Sequence, residues 1–202
     1  MDKRKLENEI EKDFSLSSAE KKFCVNLAKR SIEHSLKNEG LLKLSPLELK
    51  KLPRKLCEEK ACFVTLTIDE KLRGCIGHLI AVKPLYRDII ENAYAAAFSD
   101  SRFNPLKEKE FENVSIEVSV LTDPEGLYYG NANDLLKKII VGKDGIIIQK
   151  GAKSATFLPS VWDDISSKEE FLSELCLKAG LMATEWQKPG LKVERYYTIK
   201  AK

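Results

Sequence analysis

The chain has 202 residues, of which 43% are apolar, with 34 basic and 31 acidic residues and a formal net charge of +3. This length allows one domain with a core, or a core plus a smaller lobe, and the composition is ordinary for a globular protein. Because the charges are evenly mixed, they do not call for a nucleic-acid partner. No apolar run is long enough to span a membrane, and no signal-peptide pattern follows the charged beginning.

The cysteines and histidines bound the chemistry further. The five cysteines are scattered, odd in number and without a Cys-x-x-Cys pair, which argues against a disulfide framework and a zinc ribbon. With only His34 and His78, a histidine-rich metal centre is not expected either. We therefore expect a protein of the reducing cytoplasm with no metal, and no pattern in the chain names a cofactor.

The first part of the chain reads as helical. Ser17 and Glu20 have the spacing of a capping box, and the apolar stripe behind them predicts a helix that ends near Gly40. The Lys- and Leu-rich segment Leu41–Lys60 is expected to be a loosely structured arm, with a short helix at Leu47–Leu52.

A β-hairpin is predicted next. Ala61–Ile68 and Leu72–Ile80 are apolar runs on either side of a short polar turn. Pro84 then suits the first position of a helix that continues to Phe98. The small residues Ala95–Ala97 would let this helix lie close to a sheet.

The next segments are read as strands around one short helix. Val114–Leu121 alternates like a half-buried strand. Asn131 or Asn133 is expected to cap a short helix. The apolar runs on either side of Asp144-Gly145 predict a second hairpin.

The end of the chain completes the pattern. Ser167 and Glu170 indicate a second capping box, its helix ends at Gly180, and Val193–Lys200 is expected to be the terminal strand. Strand runs mostly follow strand runs, so the class is α+β, with a mainly antiparallel sheet flanked by helices.

The segment Leu72–His78 (LRGCIGH) concentrates chemistry in a strand. Its two glycines indicate a bulge or a close approach, and they flank Cys75. Cys75 is a candidate nucleophile whose thiol would be activated by Arg73 or His78. The alternative is a buried structural thiol, and strand alternation points His78 away from Cys75.

Besides Arg73 and Cys75, the further candidates are Asp100, Arg102, Asn104 and Glu117. Arg73, Asp100, Arg102 and Asn104 are candidates for substrate binding, since guanidinium groups suit carboxylates and phosphates and loops often carry function. The alternatives are a salt bridge from Arg73 to Glu117 or Asp100, and a structural brace within the Asp100 loop. Glu117 is a candidate base or ligand if its strand face lines a cleft, and a surface residue if that face is solvated.

Seven short sequence strings, in the order in which they occur along the chain, resemble those of the AMME chromosomal region gene one domain family, also called AmmeMemoRadiSam system protein A. The resemblance extends over about Ala19 to Ile199. The strings are Leu72–Gly77, Ala95–Ala97, Asp100–Pro105, Glu117–Thr122, Gly142–Gly145, Leu158–Val161 and Lys178–Leu181 with Trp186.

This resemblance implies a domain of two lobes over residues 15–202, with residues 1–14 as an N-terminal extension. It also implies a cleft between a larger and a smaller lobe where the motif residues gather. The implied partners are a Memo-type protein and a radical SAM protein. The resemblance implies no agreed reaction. Two positions depart from the family pattern, with Ser101 in place of Pro and Ser160 in place of Gln.

Two hypotheses about function follow. In the first, the chain binds or processes a small anionic substrate or peptide at a site of Arg73, Cys75, Asp100, Arg102 and Glu117. In the second, it is a non-catalytic adaptor that docks a Memo-type or other protein. Converging ionisable groups in an open site favour the first, and a buried Cys75 with an ion-paired Arg73 favours the second.

Overall fold

The computed structural model describes residues 14–38, 40–165 and 167–202. Its helices are α1 (Ser18–Lys37), α2 (Pro46–Lys50), α3 (Leu85–Phe98), α4 (Glu108–Phe111), α5 (Ala132–Lys138) and α6 (Lys168–Lys178), with 3₁₀ turns at Arg54–Cys57, Pro159–Asp163 and Glu185–Gln187. Its strands are β1 (Cys62–Ile68), β2 (Lys71–Gly77), β3 (Ser115–Leu121), β4 (Glu125–Gly126), β5 (Gly145–Lys150), β6 (Lys153–Phe157), β7 (Lys192–Tyr196) and β8 (Thr198–Ala201).

Two antiparallel sheets and their helices confirm the α+β class. Their strand orders are β2-β1-β3-β8 and β4-β7-β5-β6. The described chain divides into two compact units, one running up to Leu121 and resuming at Ile199–Lys202, the other spanning Thr122–Thr198. Within the described residues, no helix is both long and apolar enough to cross a membrane.

The first unit packs helices α1 and α3 on one face of its sheet. Alternate residues of β1 and β3, such as Val64, Leu66 and Val118, are fully buried against this helical layer. The residues between them face away from the helices and are only partly covered. The strand period of two therefore gives this sheet one apolar face and one mostly polar face.

Helix α1 begins where the capping pattern predicts. The Ser17 hydroxyl accepts from the Glu20 backbone N–H at 3.3 Å, and the Glu20 carboxylate accepts from the Ser17 N–H at 2.8 Å. The β1–β2 hairpin and a short helix in the arm are also confirmed.

The second unit has its own core. Its sheet buries Ile146 and Ile148, and helix α6 contributes Phe171, whose ring stacks on Trp162 at 3.8 Å. Each unit thus has a hydrophobic core of its own. Asn131 caps α5 as predicted. Ser167 caps α6 by accepting from the Glu170 N–H at 3.1 Å, but among the described residues the Glu170 side chain does not complete the predicted capping box.

The predicted hairpin around Asp144-Gly145 was wrong. Residues 139–144 form the turn that leaves α5, where the Asp144 carboxylate accepts from the Ile140 N–H at 2.9 Å. The hairpin connects β5 to β6 instead, and Gly151 has the positive φ of +60° that this turn requires. An aspartate that bonds back to its own turn had the same local pattern as a hairpin loop.

The predicted terminal strand is two strands. The chain leaves β7 at Tyr196, and the Tyr197 N–H donates to the Thr122 hydroxyl at 2.9 Å. The chain then enters β8, which belongs to the first sheet. The one strand predicted from the sequence therefore supplies a strand to each sheet.

Candidate functional site

The open face of the first sheet carries a row of three polar side chains, one on each of strands β2, β1 and β3. Thr65 lies on the central strand β1, opposite Cys75 of β2 on one side and Glu117 of β3 on the other. The Thr65 hydroxyl oxygen lies 3.2 Å from the Cys75 sulfur. The thiol is partly exposed, so it is neither a core residue nor a fully solvated one.

Gly74 decides which face Cys75 occupies. A Cβ on Gly74 would lie 2.1 Å from the Ala96 carbonyl oxygen, which shows that helix α3 touches the strand backbone here. The small residues Ala95–Ala97 allow this approach, as the sequence predicted. Because neighbouring strand residues point to opposite faces, Cys75 turns away from the helix.

His78 and Cys75 do not form a pair. His78 reaches the helix side, where its Nδ1 lies 2.6 Å from Oδ1 of Asp88 in α3. Cys75 lies on the open face. The structure therefore excludes a cysteine–histidine dyad between these two side chains, in agreement with the alternation of the strand.

Asp100 and Arg102 complete the free edge of strand β2. The Asp100 carboxylate accepts from the Cys75 backbone N–H at 2.9 Å, and Arg102 donates to the Cys75 carbonyl at 3.2 Å. Arg102 also donates through Nε and Nη2 to the two oxygens of Asp100, at 3.0 and 2.7 Å. The two side chains thus take the place of a neighbouring strand, which protects an edge that would otherwise be open to pairing.

These contacts set the charges of the pair. The Arg102 guanidinium, helped by the Cys75 N–H, holds the pKa of Asp100 well below its ordinary value. Asp100 in turn raises the pKa of Arg102. Both groups stay charged over the neutral range, and the Arg102 side chain is still 54% exposed.

Arg73 binds a carboxylate that the sequence reasoning did not select. Its Nε and Nη2 donate to the two oxygens of Glu110 in α4 at 3.1 and 3.2 Å, a bidentate pair. The suggested partners Glu117 and Asp100 are wrong for this ion pair. The Arg73 guanidinium lowers the pKa of Glu110. The side chain is only 12% exposed, and within the described residues its buried Nη1 has no partner.

Strand irregularity accounts for the position of Arg73. The register of β1 against β2 shifts so that Leu66 pairs with Gly74 and Thr67 with Leu72, leaving Arg73 as the extra residue of a bulge. The glycine pattern predicted such a bulge. Asn104 contributes its backbone carbonyl, which accepts from Arg73 Nη2 at 2.9 Å.

Phe103 connects the two arginines. The Arg73 guanidinium carbon lies 5.8 Å from the Phe103 ring centre, and that of Arg102 lies 5.6 Å from it. Such contacts favour a cation near the ring. The strings Leu72–Gly77 and Asp100–Pro105 thus meet in space.

Glu117 belongs to a separate charge cluster. Its carboxylate accepts from the Ser119 hydroxyl at 3.1 Å and lies 3.0 Å from the Lys202 ammonium group, with Lys200 at 3.8 Å. The two lysines come from the end of the chain. No local sequence signal connects them to Glu117, and only the pairing of β8 beside β3 brings them there.

The predicted site residues therefore form two groups in the first unit. Arg73, Asp100, Arg102 and Asn104 gather at the β2 edge beside Cys75. Glu117 stands two strands away. The described part of the chain holds no group of three metal-ligating side chains.

Comparisons with known proteins match this arrangement. The AMMECR1 family model matches residues 25–201. The chain belongs to the AMMECR1 family. The matched span includes both units and the strings at the β2 edge, which confirms the resemblance.

Relatives and a solved structure agree with this family. Protein MK0488 of Methanopyrus kandleri is 40% identical over 186 residues, 88% of this chain and 86% of that protein. Protein PYRAB00100 of Pyrococcus abyssi is 41% identical over 184 residues, 86% of this chain and 85% of that protein. The crystal structure of an uncharacterized protein, PH0010 from Pyrococcus horikoshii, superimposes with a TM-score of 0.78 at 37% identity, covering 93% of each chain. These comparisons establish that the chain is an AMMECR1 family protein.

Proposed function

We propose that this chain is a cytoplasmic component of a Memo/radical SAM-associated system, and that it binds or processes a small anionic substrate at the open sheet face beside Cys75. Family membership supports the association that the resemblance implies. Five free cysteines, none of them in a disulfide, support a reducing compartment. The observation that carries the substrate class is the exposed Arg102 guanidinium, which Asp100 and the Cys75 backbone carbonyl hold in place.

Arg102 is prepared for an anion. Its Nε and Nη2 are occupied by Asp100 and the Cys75 carbonyl, so the planar group is fixed before a ligand arrives. The Arg102 side chain is nevertheless 54% exposed, and Cys75, whose backbone carbonyl it contacts, is partly exposed. A fixed guanidinium offers directed donors to a carboxylate or phosphate without further loss of side-chain entropy.

The distance between Cys75 and Glu117 constrains any catalysis. Two strand spacings separate their backbones, about 10 Å, so Glu117 cannot take a proton from the thiol directly. A substrate that lies across Thr65 would reach both groups. Roles for Cys75 as nucleophile and Glu117 as base therefore stay part of the proposal and require such a bridging substrate.

Direct anion binding by Arg73 also stays a prediction. Its bidentate pair with Glu110 and its low exposure give it a structural role at the least. If Arg73 also binds the substrate, Arg73→Ala will lose the ligand and Arg73→Lys will not restore it, because lysine lacks the bidentate geometry.

The test is native mass spectrometry of small molecules that copurify with the protein, alone and with its Memo-type and radical SAM partners. We expect an anionic ligand on the unmodified protein and its loss from Arg102→Ala. Arg87→Ala is the matched control, because Arg87 is an exposed arginine of α3 outside the site. An equal ligand content in Arg102→Ala and Arg87→Ala would overturn the proposal.

A second candidate function, an adaptor without catalysis, rests on a different observation. Leu79, Ile80 and Val82 follow β2 directly and are exposed by 44, 73 and 66%. Exposed apolar clusters of this kind mark protein contacts. Ile80→Asp is expected to abolish coelution with the Memo-type protein on gel filtration, whereas Leu47→Asp, at a leucine of α2 that is 63% exposed, leaves it intact. Coelution unaffected by Ile80→Asp would exclude this surface.

A further inference from the structure

A buried carboxylate holds a half-exposed imidazole at the end of β2. Oδ1 of Asp88 lies 2.6 Å from Nδ1 of His78, and the Asp88 side chain is 2% exposed whereas that of His78 is 44% exposed. The other oxygen of Asp88 accepts from the Cys62 backbone N–H at 2.8 Å. The carboxylate is therefore fixed on both sides.

This geometry determines the tautomer of His78. A carboxylate accepts hydrogen bonds, so the neutral imidazole carries its proton on Nδ1 and leaves a lone pair on Nε2. Nε2 lies on the ring edge opposite the buried Asp88. If Nε2 takes up a proton, the imidazolium ion that forms is paired with the Asp88 carboxylate.

Exposed apolar residues follow His78 in the chain. They are Leu79, Ile80 and Val82. Cys75 lies on the opposite face of the sheet, so His78 is separate from the anion site proposed above. A small molecule with an apolar body next to a hydroxyl group would suit this combination.

We propose that His78 is a general base for a hydroxyl-bearing substrate, with Asp88 as its positioning residue. In the proposed step, the hydroxyl oxygen forms a bond to the carbonyl carbon of an ester while its proton moves to Nε2 of His78, and the carbonyl electron pair moves onto the carbonyl oxygen. The imidazolium ion that forms is paired with Asp88. It returns the proton to the leaving alcohol oxygen as the ester C–O bond breaks and the carbonyl re-forms, so the ring ends neutral.

The first test is the tautomer, measured on the full chain by long-range ¹H–¹⁵N correlation spectroscopy. His78 is expected to have its proton on Nδ1. In Asp88→Asn, the amide oxygen can keep the Cys62 contact, which directs the amide NH₂ group at Nδ1. The proton of His78 must then shift to Nε2, which would show that Asp88 sets the tautomer, and the reactivity test below then separates a base from a structural pair. His34, on helix α1, serves as the internal reference.

The second test is reactivity, with p-nitrophenyl acetate as the probe and water as the hydroxyl donor. His78→Gln is expected to lower ester hydrolysis about tenfold or more, whereas His34→Gln leaves it unchanged. Asp88→Asn is expected to behave like His78→Gln while the far-ultraviolet circular dichroism stays native. Diethyl pyrocarbonate should modify His78 faster than His34.

Two results would overturn this assignment. One is a His78 ring with its proton on Nε2 in the unmodified protein. The other is equal hydrolysis by His78→Gln and His34→Gln, which would leave Asp88 and His78 as a structural pair. Neither result bears on the Arg102 site, so the two proposals fail independently.

Discussion

The Asp100 carboxylate accepts the outward-pointing backbone N–H of Cys75 at 2.9 Å, 25 residues away in sequence. Together with the Arg102 donor on the Cys75 carbonyl, it satisfies both backbone groups of an edge-strand residue. Side chains therefore perform the hydrogen bonding of an absent strand. This contact fixes the backbone of Cys75 next to the guanidinium that we propose binds an anion.

Asp100→Asn should destabilise the protein by about 2 kcal/mol, because charge-assisted hydrogen bonds become weaker ones in a buried place. The folded pKa of Asp100 lies below its unfolded value, so its contribution is present at neutral pH and is lost as pH falls below about 4. Urea unfolding at pH 7 and pH 3 measures both effects. Asp69→Asn, at an exposed turn, is the control, and an equal change in both variants would contradict this role.

Ser101→Pro should stabilise the protein by about 0.5 to 1 kcal/mol, because proline restricts the unfolded chain. Ser101 is the second residue of a turn closed by the Phe103 N–H on the Asp100 carbonyl at 3.0 Å, a position that favours proline. The turn is thus formed without the proline usual in the family. A lower melting temperature for Ser101→Pro would show that the backbone of Ser101 does not fit the ring.

Gly74→Ala should destabilise the protein by about 3 kcal/mol or more, because the new methyl group would overlap the Ala96 carbonyl. The loss would separate α3 from the strand that carries Cys75. Gly130→Ala is the matched control, since its Cβ would meet open space and its φ is not in the left-handed region. Chemical unfolding of the two variants should therefore differ, and similar stabilities would refute the close approach.

Thiol labelling separates the two interpretations of Cys75. Burial raises the pKa of Cys24, Cys62 and Cys176, so these thiols should react slowly with iodoacetamide near neutral pH. The informative comparison is with Cys57, which is exposed. If Cys75 is activated, peptide mass spectrometry should show it alkylated before Cys57, despite its lower exposure. Slower labelling than Cys57 would return Cys75 to a structural role.

Asp144 should make the protein more stable as the pH falls from about 7 to about 4. Burial raises its pKa to about 6, against 3.8 for an ordinary aspartate, so the folded state binds the proton more tightly than the unfolded state. The gain is about 2 to 3 kcal/mol. Asp144→Asn, whose amide oxygen can still accept from the Ile140 N–H, should abolish this dependence in urea titrations. An unchanged pH profile would contradict the assignment to Asp144.

The local elements could be predicted from the sequence. A few neighbouring residues specify each of them: the cap of Ser17 and Glu20, the β1–β2 hairpin and the small residues of α3. Helix caps and hydrophobic periodicity depend on hydrogen bonds and side-chain spacing within a few residues, so the sequence alone is enough to recognise them. The order of the strings also identified the family, which the comparisons confirm.

The partners of the site residues could not be predicted. Arg73 meets Glu110 at a separation of 37 residues, and Glu117 meets Lys202 across the whole C-terminal half of the chain. The hairpin predicted at Asp144-Gly145 was wrong for the same reason. An aspartate and a glycine between apolar runs suit either a hairpin loop or the turn that leaves α5, and only tertiary packing decides between them. Sequence by itself determined the elements and the family, because helix caps, periodicity and motif order are local. Only the tertiary structure decided which charges meet, because an ion pair depends on where distant strands and helices are packed, and side-chain chemistry alone does not distinguish Glu110 from Glu117.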